Sequence, residues 1–296
     1  MTNYAVSHYG VVQDIAVSIG KFLAPRVKSN GLHGYYKYYD RADAFEVPKT
    51  KLADHAESNY IDIKGEDKPF GLQEHGLKTA VTDRQKLGAG DGLQAVERNK
   101  VAKLIGAFAL ADLLRTVELV QGNITATSLA MGSTDAPIAA LKAAVSAFRI
   151  KNGFMPNRMI IADDMWNALA ATDEALDILE NAKAKELTGE LLMHKLGYSD
   201  VPGASIEINK AVVPYTKDGV TGDMLAGEIL LYFASDNADL DDRSAIKCIT
   251  CDGDAFFNKV ISRHDDAKRE DVHELISYNE SVIAAPDSIM RFNKAS

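Results

Sequence analysis

The stretch at residues 92–121, GLQAVERNKVAKLIGAFALADLLRTVELVQ, decides the fold because it carries the strongest helical periodicity in the sequence. Asp91 precedes it as a candidate N-cap, and Gly122-Asn123 follows it as a helix-ending pair. At 1.5 Å per residue, this run spans about 45 Å. Its apolar residues lie on one face in the first part of the helix and on another face in the second part. The first face has Leu93, Val96, Val101, Leu104 and Phe108, and the second has Leu110, Leu113, Leu114 and Val117. We predict one long helix that packs on different partners along its length.

Three glycines stand just before this helix, at Gly88, Gly90 and Gly92. Glycines at such a place can let backbone N–H groups approach a pyrophosphate. The spacing here is GxGxG instead of GxGxxG, and the preceding TDRQKLGAG is polar rather than a buried strand. We therefore predict a flexible linker that leads into the helix.

The sequence before the glycines predicts an arm and an extended loop. Residues 11–23, VVQDIAVSIGKFL, have apolar residues at helical spacing, and Pro25 ends the run. The tyrosine-rich segment 33–47 favours extended structure, and residues 48–79 are polar with short alternations such as YIDIK. We predict an amphipathic helix on a detached N-terminal arm, followed by an exposed β-hairpin that needs another subunit to bury it.

The sequence after the long helix mixes helices and strands. A helix is predicted over 136–150, with Pro137 in its first turn, and further helix over 173–188. MIIA at 159–162 predicts a buried strand, followed by a helix that Asp163 or Asp164 can cap. Beyond residue 197, four apolar runs predict strands, and 268–296 predicts two more, joined through Pro286-Asp287. The fold class is α+β.

Composition limits the possible functions. The 296 residues suit one large or two intimate domains, and 46% hydrophobic and 25% charged residues are typical of a folded protein. The net charge of -9 argues against a surface that is wrapped in nucleic acid, although residues 1–32 are mildly basic through Lys21, Arg26 and Lys28 against Asp14. Neither a membrane span nor a signal peptide is recognisable, so we expect a protein that stays in a cytoplasm.

Two clusters have the residue types of a metal site. Cys248 and Cys251 form a lone CxxC in a predicted strand, where positions three apart face opposite sides, and no second pair completes a zinc site. We predict structural thiols. The run His264-Asp265-Asp266 with Glu270, Asp271 and His273 could hold a divalent cation, but such runs are more often a solvated loop.

Motifs typical of enzymes are not found: the sequence contains no GxSxG, GxxxxGK[ST] or HExxH. Helix capping explains Asp163-Asp164 without acid–base catalysis. We therefore predict no catalytic residues, no cofactor-binding residues and no metal ligands, and a protein that is not an enzyme.

The order of the elements resembles the major capsid proteins of tailed double-stranded-DNA bacteriophages, whose coat fold is shared with herpesviruses and encapsulins. The segment PNRMIIADDMWNAL at 156–169 looks like a recurring strand, cap and helix of that family, and REDVHELISYNESVIAAPDSIMRF at 269–292 is similar to its return strands. The resemblance implies an N-terminal arm (1–32), an extended loop (33–79), a peripheral domain (80–131 and 266–296) with the spine helix 92–121, and an axial domain (132–265).

The resemblance also implies a function. Pentamers and hexamers of this one chain would form an icosahedral shell around phage DNA, which they contact weakly and without sequence specificity. Because no long N-terminal helical extension is present, the resemblance implies a separate scaffolding protein, besides a portal protein at one vertex and no membrane. The protein would reside in the virion after assembly in the bacterial host cytoplasm.

Some relatives crosslink a loop lysine to a neighbouring subunit. Lys49, Lys51, Lys64 and Lys68 lie in the candidate loop, but no feature of the sequence marks one as reactive, so the sequence leaves open whether subunits are crosslinked.

Three alternatives remain from the sequence. A tail or connector protein of a virion would form rings or tubes, and its chain would usually be dominated by β structure instead of a long helix. An encapsulin-like compartment shares the fold but encloses a cargo enzyme. A soluble α+β enzyme would use the strand–helix junction at 156–169 and the acidic loop at 264–273 as its pocket.

Overall fold

The computed structural model describes residues 15–39, 65–251 and 259–295. The helices of these residues are α1 (Ile15–Leu23), α2 (Asp83–Ala89), α3 (Leu93–Asn123), α4 (Pro137–Asn152), α5 (Asp163–Ala170), α6 (Asp173–Ala182) and α7 (Gly189–Lys195). Their strands are β1 (Arg26–Lys28), β2 (His33–Tyr38), β3 (Glu66–Gly71), β4 (Gln73–Thr82), β5 (Ala126–Leu129), β6 (Arg158–Ala162), β7 (Glu207–Ala211), β8 (Pro214–Lys217), β9 (Val220–Asp223), β10 (Glu228–Tyr232), β11 (Ile246–Thr250), β12 (Lys259–Asp265), β13 (Glu270–Ile283) and β14 (Ile289–Lys294). No helix among them combines the length and the hydropathy needed to cross a bilayer.

The predicted long helix is confirmed as α3, which has 31 residues. Its ends differ from the prediction. The N-cap is Gly92 and makes no side-chain capping bond, whereas Gly122 and Asn123 lie inside the helix, because the backbone N–H of Ile124 still donates to the Val120 carbonyl.

The prediction of a flexible glycine linker is wrong. Gly88 belongs to α2, and Gly90 and Gly92 belong to a 3-10 turn that leads into α3. The reason is a capping box just before the glycines, which the sequence analysis did not identify. The Thr82 hydroxyl accepts from the Gln85 N–H, and the Gln85 side chain accepts from the Thr82 N–H. Local hydrogen bonding therefore orders this connection.

The first sheet is built around β13. Strand β4 pairs with one edge of β13 over ten residues, from Gln73 to Thr82. Strands β12 and β11 share the other edge, and β1 adds to β11 in parallel. The alternation of a strand sends Leu275 toward α3, where it packs on Leu104 and Phe108. The first half of the long helix thus rests on this sheet.

The second sheet has the strand order β5-β14-β10-β6-β7. Every residue of β6 and β10 is buried, as expected for strands that are covered on both faces. Helices α4 to α7 pack beside this sheet, and the second half of α3 shares its core through Leu113, Val117 and Val120. The change of face along α3 therefore follows the change of sheet.

Two helix predictions near the second sheet need correction. The predicted helix 173–188 breaks at Lys183, which has a left-handed φ of 52°, and α7 begins only after Thr188 caps it. The N-cap of α5 is Ala162 rather than an aspartate. Asp164 instead accepts a hydrogen bond from the Gly227 N–H at 2.8 Å and so ties α5 to the turn before β10.

The N-terminal segment is described only from Ile15 onward, so residues 11–14 of the predicted helix lie outside the described residues. The part that is described is not detached. Ile19 and Leu23 belong to the main core, and α1 packs on α3. Arg26–Lys28 continue as β1, which pairs with β11, so this part of the arm packs against its own chain.

Strand pairing crosses the predicted domain limits. β14 falls in the predicted peripheral segment 266–296 but pairs in the second sheet, whereas β11 and β12 fall in the predicted axial segment 132–265 but pair in the first. Near the end of the sequence, the chain therefore passes from the second sheet (β10) to the first (β11 to β13) and back to the second (β14).

Candidate assembly surfaces

A two-stranded ribbon, formed by β2 and β3, begins the predicted extended loop. It pairs in antiparallel register from His33 opposite Gly71 to Tyr38 opposite Glu66. Among the described residues, only one of its faces is covered: Tyr36 and Phe70 are buried, while Tyr35 on the other face is 65% exposed. Residues 40–64, which include most of the predicted hairpin 48–79, lie outside the described residues.

The ribbon is held to the first sheet by a small apolar cluster and by backbone hydrogen bonds. Tyr36 and Phe70 pack with Leu72, Ile249, Val282 and Ala284. The Tyr39 N–H donates to the Ala284 carbonyl at 2.9 Å, and the Gly71 N–H donates to the Glu280 carboxylate at 2.8 Å. These contacts fix the angle at which the ribbon leaves the body.

A buried lysine organises the loop that holds the base of the ribbon. The Lys247 side chain on β11 is fully buried, and its Nζ lies 2.7 Å from Asp242 Oδ1. The ammonium also donates to the carbonyls of Leu240 at 3.2 Å and Asp242 at 2.6 Å. The Lys37 N–H of β2 donates to the same Leu240 carbonyl at 3.1 Å. Burial lowers the pKa of Lys247, although Asp242 opposes that effect.

A second charged group joins the arm to the long helix. Asp112 of α3 is buried and accepts from Arg26 of β1 and from Arg115, each at 2.8 Å. His75 of β4 faces the same group. Burial and the Arg115 charge lower the pKa of His75, and Asp112 partly offsets them. At neutral pH, this group therefore holds two guanidinium cations around one carboxylate.

The hairpin between β12 and β13 carries the residues that were weighed as a metal site. His264 Nδ1 lies 2.6 Å from Asp271 Oδ1, and the hydrogen bond to Asp271 raises the pKa of His264. Lys86 of α2 lies 2.7 Å from Asp271 Oδ2, whereas His273 turns inward to the Ser262 hydroxyl. In the part of the chain that the structure describes, no three His, Cys, Asp or Glu side chains converge as metal ligands.

Among the residues that the structure describes, the two cysteines and the one candidate loop lysine show no reactive arrangement. Cys248 is buried in β11, and its burial raises the pKa of the thiol to about 11. Cys251 follows the strand and is half-buried. Of the four candidate crosslinking lysines, 49, 51 and 64 lie outside the described residues. Lys68 lies in β3, where its Nζ is 3.1 Å from the centre of the Tyr38 ring.

The Lys247 site was missed from the sequence, yet a signal was present. A lysine inside the uniformly apolar run AIKCIT, just after the acidic segment DNADLDD, indicates a buried cation with carboxylates nearby. Its effect on the ribbon depends on a contact between residues 37 and 240, which no local pattern encodes.

No protein-family model and no curated protein sequence matches this chain. Solved structures do match. A phage-related protein from Bordetella bronchiseptica RB50 is 18% identical, with a TM-score of 0.74 over 98% of this chain and 96% of the other. The capsid structure of cyanophage P-SCSP1u is 10% identical, with a TM-score of 0.55 over 93% and 88% of the two chains. The capsid of Myoviridae phage XM1 is 10% identical, with a TM-score of 0.53 over 94% and 92%. These similarities confirm the predicted fold.

Proposed function

We propose, from the premise that this chain has the coat-protein fold of tailed phages, that it is the major capsid protein of such a phage. Pentamers and hexamers of the chain form an icosahedral shell that encloses double-stranded DNA. The observation that carries this proposal is the match of more than nine-tenths of the chain to two subunits from phage capsids. The match spans both sheets and the long helix rather than a shared motif.

The ribbon of β2 and β3 supports the same function. A two-stranded hairpin is marginally stable alone, and within the described part of the chain this one buries only one face. Its exposed face, with Tyr35, gains burial when it lies on a neighbouring copy. We assign residues 33–79 to an extended loop of this kind, whose last residues, 73–79, also pair with β13 in the first sheet. The proposed peripheral domain is 80–131 with 266–296, and the proposed axial domain is 132–265. The pairing of β11, β12 and β14 joins the two domains across these limits.

The proposed partners follow from the shell. A separate scaffolding protein directs assembly, a portal protein occupies one vertex, and packaged DNA is contacted weakly. A net charge of -9 agrees with weak DNA contact, because counterion release on tight binding requires clustered cations. The protein acts in the virion after assembly in the bacterial cytoplasm, and it catalyses no reaction.

Electron microscopy of the purified full chain, beside its size-exclusion profile, tests the proposal. Closed shells tens of nanometres across, or pentamers and hexamers that form shells when a scaffold is added, are expected. A compact monomer or dimer that never assembles would refute the shell. Shells that consistently contain a cargo protein instead of nucleic acid would refute the genome-enclosing role.

The weak contact with DNA has its own test. We expect duplex DNA to bind the reassembled shell with a shallow dependence on salt concentration. A steep dependence, corresponding to about six or more neutralised phosphates, would contradict weak and dispersed contact.

A further inference from the structure

Helix α4 has two apolar faces, and only one of them is covered. Ile138, Leu141, Val145 and Phe148 are buried in the core. On the opposite side, Ala140, Ala143, Ala147 and Ile150 recur at intervals of three and four residues and are all exposed, with Ile150 at 73%. We call these four residues the α4 ridge. Small side chains on a ridge allow another backbone to approach closely, and Ile150 supplies an apolar anchor at its end.

A groove of about 600 Å³ lies elsewhere in the same half of the molecule, between α5, α6, the segment 185–189 and β7. Its apolar lining comes from Trp166, Ala170, Leu176, Leu179, Leu187 and Ile208, and its charged lining comes from Lys185, Glu186 and Lys210. Leu176 is 52% exposed at the side of α6, although leucine is a residue that folding usually buries. We call this surface the α6 groove.

The charges of the two helices are complementary. α4 carries Lys142, Arg149 and Lys151 and no carboxylate, whereas α6 carries Asp173, Glu174, Asp177 and Glu180 and no cation. Glu174 already caps the start of α4 within the chain, at 2.7 and 2.9 Å from two backbone nitrogens.

The other three α6 carboxylates recur at intervals of four and three residues, so they share one exposed face next to Leu176. None of the three forms an ion pair with another described residue, and neither does Arg149. Lys151 of α4 already pairs with Asp287. Asp177 lies in a cleft of its own chain together with Lys142 and Lys195. The charges left for a contact with another copy are therefore Arg149 on α4 and Asp173 and Glu180 on α6.

We infer that the α4 ridge of one copy of this chain docks into the α6 groove of the next copy, with Arg149 directed toward the acidic face of α6. This inference rests on the proposed function and specifies one contact within a ring of subunits. The contact is head-to-tail, because the ridge and the groove are different surfaces, and head-to-tail contacts close into rings when the rotation allows. Each copy then uses both its α4 ridge and its α6 groove.

Two single variants of the full chain test the contact. Ala143→Glu places a charge in the middle of the ridge and leaves the groove intact, whereas Leu176→Glu places one in the groove and leaves the ridge intact. Each variant alone is expected to self-associate at least about 30-fold more weakly than the wild type, the change expected of an interface hot spot. Ala226→Glu, at an exposed alanine outside both surfaces, is the matched control and assembles normally.

Mixing the two variants distinguishes the head-to-tail arrangement from a symmetric one. The intact groove of Ala143→Glu can accept the intact ridge of Leu176→Glu, so an equimolar mixture gives heterodimers by analytical ultracentrifugation but no rings. Arg149→Glu is expected to weaken association at low salt and to have less effect at ~1 M salt, where charges are screened within about 3 Å.

The outcomes separate this inference from the function on which it rests. If the wild type assembles and both glutamate variants assemble equally well, the contact is wrong and the shell function stands. A mixture that stays monomeric refutes head-to-tail docking. Variants that self-assemble normally but lose binding to a scaffolding protein would give the groove a different occupant and overturn the inference. A wild type that never assembles refutes the proposed function itself. Circular dichroism spectra and melting midpoints near those of the wild type show that the variants are folded.

Discussion

Replacing Lys247 with methionine removes the cation that holds the loop at residues 240–242. The side chain is fully buried, so methionine fills similar space without a charge. The change leaves the Asp242 carboxylate, only 16% exposed, without its ion pair. It also leaves the Leu240 and Asp242 carbonyls without the ammonium donor. Breaking one side of a buried pair costs about 3–5 kcal/mol, and we expect Lys247→Met to lower the free energy of unfolding by that amount.

The double variant Lys247→Met/Asp242→Asn distinguishes two contributions to the lost stability: the loss of the ion pair itself and the cost of leaving the Asp242 carboxylate without a counter-charge. Because desolvation offsets the attraction within a buried pair, removing both charges should restore most of the loss, to within about 1–2 kcal/mol of the wild type. The pH dependence of the free energy of unfolding is an independent test, because its direction is also predicted. Burial lowers the pKa of Lys247 in the folded state, so wild-type stability should increase relative to Lys247→Met as the pH rises through that pKa toward the unfolded value of ~10.4.

Hydrogen exchange and urea titration measure this effect in two places. The Lys37 amide, which donates to Leu240, should exchange faster in Lys247→Met, and the urea midpoint should fall. Lys210→Met is the matched control, because the exposed Lys210 ammonium lies 3.8 Å from Asp163 and 5.0 Å from the centre of the Trp166 ring, and the loss of such exposed contacts should change stability by about 1 kcal/mol or less. An unchanged midpoint and unchanged Lys37 exchange in Lys247→Met would refute the organising role of the buried lysine.

Three further predictions follow from the described contacts. Gly34→Ala should destabilise the ribbon by about 1–3 kcal/mol in urea unfolding, because its Cβ would lie 2.7 Å from a buried ring, whereas Gly88→Ala, with open space around it, should stabilise α2 by about 0.5–1 kcal/mol; equal effects would contradict this. In NMR titrations, the pKa of His264 should lie above 6.5 and should fall in Asp271→Asn. The pair therefore stabilises the fold below pH ~6.5, and this contribution disappears as the pH rises through the raised pKa. A His264 pKa that is the same in the wild type and in Asp271→Asn would contradict the pair. The Cys248 thiol should resist a thiol reagent at pH ~8 until urea unfolds the chain, since its pKa is about 11, and rapid labelling of the native protein would contradict its burial.

The elements that the sequence predicted well have strong local periodicity. The helix α3 extends over 31 residues in which apolar side chains recur at helical spacing, and β6 is a short apolar run next to a helix start. Helix α4 begins at Pro137, which cannot donate a backbone hydrogen bond inside a helix, and it ends before Gly153, which takes a left-handed φ of 77°. Such signals lie within a few residues of the structure that they determine.

The features that the sequence did not predict depend on contacts between distant residues. The ion pair of Arg26 with Asp112 joins positions 86 residues apart, and no local pattern pairs them. The pairing of β14 with β5 and β10 in the second sheet is likewise not encoded by any local pattern. The capping box at Thr82 and Gln85 is local, but the glycines that follow it favoured an open linker. The two surfaces of the proposed contact became visible only once the buried face of α4 was known.

The position of β13 has a consequence for synthesis on the ribosome. β4 ends at residue 82, and β13, which pairs with it, begins at residue 270. At ~5–20 residues per second, translation separates the two strands by about 10–40 s. During that interval, β4 has no partner strand from β13, and the second sheet still lacks β14. A nascent subunit therefore cannot complete either sheet, or enter a lattice with its final shape, until nearly all of this sequence has emerged.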